Sequence, residues 1–335
     1  MPGTYLGHLS HDDPFYHYLS QQILPQLGLS DRPGEFRVFQ LARADVYLYE
    51  ERHSRVRVVG KYFGGQGRPG TVEAAWRMAA EFDNLRLLQD YGFAGYPHHV
   101  VRPWGANAGI NSVLVEEYCP GTSLSAVING ALYQNQGQRL FSKLTALAYF
   151  LAELHNRTAT GYGVNFVEDC SYLDRLTEKL RRKQYLGEGE SDELHWLRDR
   201  WREQPRMWED RQVLVHGDAT PSNFLFGKGL NVMAIDLERM QQADRVFDVG
   251  RVAGELQHFF LQARGDKYAA EPFIGHFLWE YACHFPDRER AFLSITGRLP
   301  FQMGLTLLRI ARNSWVSDPY RRRLIEEAKN ILRRF

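Results

Sequence analysis

The spacing of apolar positions changes partway along the chain, and the change divides it. Across residues 35–63, apolar side chains alternate with polar ones in short stretches rich in β-branched and aromatic residues. These are Phe36-Arg-Val38-Phe39, Val46-Tyr-Leu48-Tyr49 and Val56-Arg-Val58-Val59-Gly60-Lys61-Tyr62-Phe63. Three strands are expected there. Before them, Asp13 and Pro14 carry the signature of an N-cap and first helical residue, with Phe15, Tyr18, Leu19, Ile23 and Leu24 following at helical spacing. After them, Thr71 and Glu73 open a second helix with the apolar stripe Ala75, Met78, Phe82 and Leu85, stopped by Tyr91-Gly92. Val100-Val101 and residues 112–116 add two more strands around the turn-prone residues 105–109. Beyond Glu117 helical periodicity takes over: residues 141–155 are strongly apolar, residues 172–211 mix charges of both signs, and Val249, Val252, Ala253, Leu256 and Phe259 line one further helix. The chain reads as α+β, with a β-rich N-lobe over residues 1–117 and a larger helical C-lobe over residues 118–335.

One stretch of the second half does not fit helical spacing. Val213-Leu214-Val215 reads as a strand that delivers His216-Gly-Asp218-Ala-Thr-Pro-Ser-Asn223 to its end, where Pro221 and Ser222 favour a loop. Phe224-Leu225-Phe226, the turn Gly227-Lys228-Gly229 and Val232-Met-Ala-Ile235 then form a hairpin whose second strand ends on Asp236. A hairpin of that length is expected to fold Asp236 back beside Asn223, with Asp218 a few residues away. An amide oxygen and one carboxylate are hard ligands of low total charge, which suits Mg²⁺. Asp218 is left to orient or deprotonate a hydroxyl group. These are the parts of a phosphoryl-transfer site.

Two residues upstream complete the pattern. Glu81 flanks the buried stripe of the second helix, and a carboxylate there needs a cation because an unpaired buried charge is costly. Lys61, set between apolar residues on the third strand, is the candidate partner, and the pair would aim an ammonium at nucleotide phosphates. The plainer alternatives are a lysine that snorkels to the surface and an exposed ion pair worth little. Asp248 reads as an N-cap or loop anchor, His155 as a residue complementing a helix dipole, and His8, His11, Asp12 and His17 as solvated terminal residues.

Composition narrows the picture without changing it. The 335 residues are 44% hydrophobic and 13% aromatic, enough for a large core, and the formal net charge of +1 gives no reason to expect nucleic acid or an anionic membrane as partner. The three cysteines, Cys119, Cys170 and Cys283, are far apart and form no Cys-x-x-Cys pair, as in a reducing cytosol. No basic-then-apolar leader and no membrane-length apolar run is visible, so a cytoplasmic protein is expected.

These motifs resemble those of the aminoglycoside phosphotransferase and choline kinase group of small-molecule kinases, strongest between Val213 and Gly250. The resemblance implies a bilobal protein-kinase-like fold, with His216-Gly-Asp218-x4-Asn223 as the catalytic loop and Ile235-Asp236-Leu-Glu238 as the metal-binding segment, similar in form to the choline-kinase branch. It implies Asp218 as catalytic base, Asn223 and Asp236 as Mg²⁺ ligands, and Lys61 with Glu81 as the phosphate-orienting pair. Glu116, Glu117, Tyr118 and Cys119 fall at the adenine-binding hinge. Two departures stand out: Leu41-Ala-Arg43-Ala-Asp45 replaces a glycine-rich loop between the first two strands, and Arg245 replaces the usual proline in Asp244-x3-Asp248. Arg43 could contact a phosphate from that turn or stand exposed.

The expected activity is Mg²⁺-dependent transfer of a phosphoryl group from ATP or GTP to a hydroxyl of a small molecule, a sugar, amino alcohol or aminoglycoside-like compound. The segment after Asp248 shows no acidic cluster, which favours a neutral or anionic acceptor over a polycation. Trp279 and Tyr281 could stack such a ligand or pack in the core. The alternatives are a kinase-like regulatory protein with weak or no catalysis and a kinase-fold enzyme that modifies a protein.

Overall fold

Alternating strands are stable only when their apolar face is covered, and here the cover is aromatic. The computed structural model describes residues 3–29, 34–41, 45–65 and 71–335. The chain divides into two compact units, Met1–Gly121 with Met233–Glu238, and Thr122–Val232 with Arg239–Phe335. The first contains β1 (Thr4–His8), α1 (Pro14–Tyr18), β2 (Phe36–Gln40), β3 (Val46–Glu51), β4 (Arg57–Tyr62), α2 (Val72–Asp90), β5 (Ala94–Gly95), β6 (His98–Val100), β7 (Pro103–Asn107) and β8 (Val113–Glu117). Six of these strands form one antiparallel sheet in the order β1-β2-β3-β4-β8-β7.

Asp13 caps α1 by accepting from the Phe15 N–H at 2.8 Å, and the helix lays Phe15 edge-on against Tyr49 and Tyr62, with ring centroids 4.8 and 5.7 Å away. Gly60 makes that approach possible, because a Cβ there would lie 2.9 Å from the Tyr49 ring. The Thr71 hydroxyl accepts from the Ala74 N–H at 3.1 Å and opens α2, which runs to Asp90 as the sequence suggests.

Two strands depart from the sequence pattern. β1 is largely exposed and interrupted at Gly7, where its register on β2 shifts, so alternation is lost. β7 runs through Gly105 with a bulge, where turn-forming residues suggest a loop. Arg43 and most of residues 64–70 lie outside the described residues.

The second unit comprises β9 (Thr122–Ser123), α3 (Leu124–Tyr133), α4 (Gly137–Arg157), α5 (Phe166–Arg182), α6 (Glu188–Arg202), β10 (Gln212–Val215) and β11 (Phe224–Phe226). The chain then passes through β12 (Val232–Ala234) and Asp236 before returning in β13 (Gln241–Asp244), α7 (Val246–Arg264), α8 (Glu271–Ala282), α9 (Arg288–Ala311) and α10 (Asp318–Leu332). One core cluster of this unit joins α5, α6, α9 and α10. Trp201 is fully buried there and satisfies its indole N–H on the Leu332 carbonyl at 2.8 Å. No helix among the described residues is long and apolar enough to cross a membrane.

Helices α7 and α9 approach so closely that two positions on α7 admit only glycine. A Cβ on Gly250 would lie 2.3 Å from Gln302 Cβ, and one on Gly254 would lie 2.7 Å from Thr306 Cβ. Gly275, on α8, has nothing within 4 Å of such a Cβ. The two glycines therefore respond oppositely to alanine. Gly250→Ala is expected to cost about 1–3 kcal/mol by overpacking, and Gly275→Ala to gain about 0.5–1 kcal/mol from helix propensity. Urea unfolding of both variants checks the signs, and equal shifts would contradict the packing described.

Candidate active site

In the first unit, Lys61 sits on β4 with its side chain on one face of the sheet and Glu81 projects toward it from α2. The Lys61 ammonium donates to Glu81 Oε2 and to Asp236 Oδ1, each at 2.6 Å. Glu81 is fully buried and also accepts from the Leu237 N–H at 3.2 Å, while Asn84 donates to the Leu237 carbonyl at 2.9 Å. One helix thus holds both the lysine and the main chain that follows Asp236. Asp236 has φ of +67°, in the left-handed region that aspartate enters more readily than most residues other than glycine. Burial works against the Lys61 charge, but the carboxylates of Glu81 and Asp236 more than offset it and hold the ammonium above its usual range.

In the second unit, β10 ends at His216 and the next residues turn around Asp248. The fully buried Asp248 carboxylate accepts from the His216 N–H at 2.6 Å and the Gly217 N–H at 3.1 Å. His155, on α4, lies 3.3 Å from the same carboxylate through Nε2 and 2.7 Å from the Tyr281 hydroxyl through Nδ1. Burial opposes the Asp248 charge, yet these donors hold it below the usual carboxylate range. Gly217 has φ of +78° and no room for a Cβ, which would meet the Arg239 carbonyl oxygen. Asn223 is buried, donates through Nδ2 to the Asp218 carbonyl at 2.9 Å, and accepts at its amide oxygen from the Ser222 hydroxyl at 3.2 Å.

Asp248 is accordingly a loop anchor, as its position suggests. His155 lies in the last turn of α4 as expected, but there it is the buried partner of Asp248, and Tyr281 belongs to the same core network and not to a ligand-stacking surface. Arg245 fills the place of the expected proline with an ion pair, its Nε lying 3.1 Å from Asp210. Arg251 of α7 and Arg309 of α9, which the sequence reading passed over, stand 3.2 and 3.5 Å from Asp218 Oδ1.

The four hinge candidates separate. Glu116 points to the Lys61 face of the sheet and is buried, with Oε1 lacking a hydrogen-bond partner. Burial, reinforced by the negative charge of Glu81, pushes its carboxyl up to about 8. Glu117 instead engages His99 Nε2 at 2.8 Å and the Arg102 N–H at 3.2 Å. The Tyr118 ring lies under Arg57, and burial pushes the Cys119 thiol up to about 12, so it is a neutral apolar group. β8 lies between β4 and β7, so sheet partners flank it as far as Glu117.

The donor chemistry fits magnesium. Glu81, Asp236 and Glu238 each place a carboxylate oxygen within 4.8 Å of the others, so the ligands of this group are all hard oxygens.

A family model described as the phosphotransferase enzyme family matches residues 42–284. No curated protein matches the chain significantly. Among solved structures, choline kinase from Cryptosporidium parvum is similar over 95% of this chain and 94% of its own, with 10% identity and a TM-score of 0.62. Plasmodium vivax ethanolamine kinase is similar over 95% and 88%, with 12% identity and a TM-score of 0.59. A streptomycin–ATP–APH(2″)-IIa ternary complex is similar over 86% and 90%, with 14% identity and a TM-score of 0.50. The fold is thus protein-kinase-like, with an antiparallel-sheet N-terminal unit and a mainly helical C-terminal unit.

Glu116 gives the site a pH signature. Its ordinary value is 4.5 and its folded value about 8, so between these the folded chain holds a proton that the unfolded chain has lost. Stability attributable to it is full below the lower value, falls as pH rises through the window and levels off above it. Glu116→Gln carries no such proton. Its stability relative to the parent is expected to grow across that window, reaching up to about 3 kcal/mol near neutrality. A urea-unfolding series over pH checks this, and a difference independent of pH would contradict it.

Proposed function

Because the chain belongs to the phosphotransferase enzyme family, we propose that it transfers the γ-phosphoryl group of ATP or GTP to a hydroxyl group of a small molecule, with Mg²⁺ required. The observation that carries this reading is the Lys61 ammonium held at 2.6 Å from both Glu81 and Asp236, a fixed cation beside a carboxylate suited to a metal. ATP in the solved ternary complex supports the choice of a nucleoside triphosphate as donor.

Lys61 binds the nucleotide phosphates and Glu81 keeps it aimed at them. Asp236 and Asn223 are the proposed Mg²⁺ ligands, and the bound ion supplies neutralising charge at the phosphates. Glu116 and Glu117 end the strand before the base-binding segment, and Tyr118 and Cys119 offer the main-chain groups that follow it. Asp218 orients the acceptor hydroxyl and takes its proton. The acceptor oxygen bonds to the γ-phosphorus as the bond to the bridging oxygen breaks and the nucleoside diphosphate leaves. Such a transfer needs little covalent help, so positioning and charge carry most of the rate.

The test is Mg²⁺-dependent nucleoside diphosphate release from ATP and GTP separately, over pooled sugars, amino alcohols and aminoglycosides. One pool is expected to stimulate release, and Asp218→Ala to lower it by about 10²–10⁴-fold, the range of a lost general base. Lys61→Ala is expected to lower it by about 10²–10³-fold, as when one charge-stabilising donor is removed. Release unaffected by either substitution would overturn the assignment.

A further inference from the structure

Helix α7 is buried almost throughout, yet Arg251, Glu255 and His258 are among its buried residues and recur at i, i+4 and i+7 from Arg251. They therefore share one face of the helix, continuing from Asp248 at its start. The close approach of α7 to α9 at Gly250 and Gly254 brings Arg309 onto this polar stripe. Arg309 Nη2 donates to Glu255 Oε1 at 2.6 Å, and its Nη1 lies 3.5 Å from Asp218 Oδ1. Arg251 donates to the same Asp218 oxygen at 3.2 Å. Two guanidinium groups converge on one carboxylate.

The cluster is not sealed from solvent. The side chains of Asp218 and Arg309 are 18% and 14% exposed, whereas those of Arg251 and Glu255 are 5% and 8% exposed. Asp218 and Arg309 are therefore the more accessible members of the cluster, and Arg251 and Glu255 the more buried. Arg309 Nε is buried and has no hydrogen-bond partner, a donor left unsatisfied at a cost. Burial and the neighbouring charge of Arg309 both push Arg251 below its usual range, so the paired cations gain from additional negative charge.

We propose that Arg309 and Arg251 form an anion-recognition site beside Asp218, and that the phosphoryl acceptor is a hydroxyl compound bearing a carboxylate or phosphate group near the reacting hydroxyl. This rests on the kinase reading for the word acceptor, while the anion site stands on the arginine cluster alone. A cationic amine held against Arg309 and Arg251 would be repelled by both guanidinium groups, with Asp218 and Glu255 offsetting that only in part because they are already paired with the arginines. A carboxylate or phosphate would accept charge-assisted hydrogen bonds from a fork already held in place by Glu255 and Asp218.

The experiment has two readouts on the full chain. Turnover is measured with separate pools of hydroxy acids, sugar phosphates, neutral sugars and amino alcohols, and binding of glycerate and of ribose 5-phosphate is measured by calorimetry on the parent and on Arg309→Gln. Turnover confined to an anionic pool is expected, with the hydroxy-acid and sugar-phosphate arms telling carboxylate from phosphate. Arg309→Gln is expected to raise KM and Kd for that class by about 10- to 100-fold, as loss of one charge-assisted hydrogen bond would. Arg309→Lys, which keeps the charge but not the fork, is expected to lie between. Asp218-dependent turnover confined to amino alcohols or neutral sugars overturns the anion site and leaves the kinase reading standing. Anion binding weakened by Arg309→Gln, without turnover on any pool, upholds the anion site and overturns the kinase reading. Neither binding nor turnover overturns both.

Discussion

A carboxylate removed from water has to be surrounded by donors, and each unit of this protein is arranged around one such group. In the first unit it is Glu81, fully buried on α2, which receives the Lys61 ammonium and the Leu237 N–H. In the second it is Asp248, fully buried at the start of α7, which receives the His216 and Gly217 N–H groups and faces His155. Leaving either uncompensated would cost several kcal/mol. The surrounding strands, helices and loop are therefore held in the one arrangement that supplies the donors. What these anchors fix are the neighbours proposed to carry the chemistry: Lys61 and Asp236 in one unit, Asp218 and Asn223 in the other.

The two anchors differ in how visible they are in the sequence. Glu81 was legible because a carboxylate flanking an apolar helical stripe demands a cation, and Lys61 stood on a nearby apolar strand. The loop proposed to be catalytic was legible from residue types alone, since the strand Val213-Leu214-Val215 leads directly into His216-Gly217-Asp218. The role of Asp248 followed from its place after that loop. Its partner His155 did not, because a histidine near the end of a helix is equally consistent with a dipole interaction. Only the packing of α4 against α8, which in turn packs on α7, brings His155 to Tyr281 and Asp248.

The cluster around Asp218 was hidden for a related reason. Arg251 and Arg309 lie far apart in sequence, and the second falls within a segment dense in arginine where most of the charges are solvated. The available signal was polar residues at helical spacing along α7, on a helix otherwise made of Val, Ala, Leu, Phe and Gly. The tight contact at Gly250 and Gly254 converts that stripe into a site, and glycine spacing of four on a buried helix is the clue to such a contact. β1 and β7 escaped notice for the opposite reason, since glycines that mark turns elsewhere here sit inside strands, each beside a shift in register.

The central claim is phosphoryl transfer to a small molecule by a site that includes Asp218. The measurement that tests it most directly is the fate of the γ-phosphate of labelled ATP or GTP after incubation with Mg²⁺, the protein and the acceptor pools, resolved by mass into small-molecule, protein and nucleotide fractions. The account predicts label on a small molecule as a phosphate monoester, absent with Asp218→Ala. Label on protein, addition of a nucleotidyl group, or transfer that persists in Asp218→Ala would contradict it.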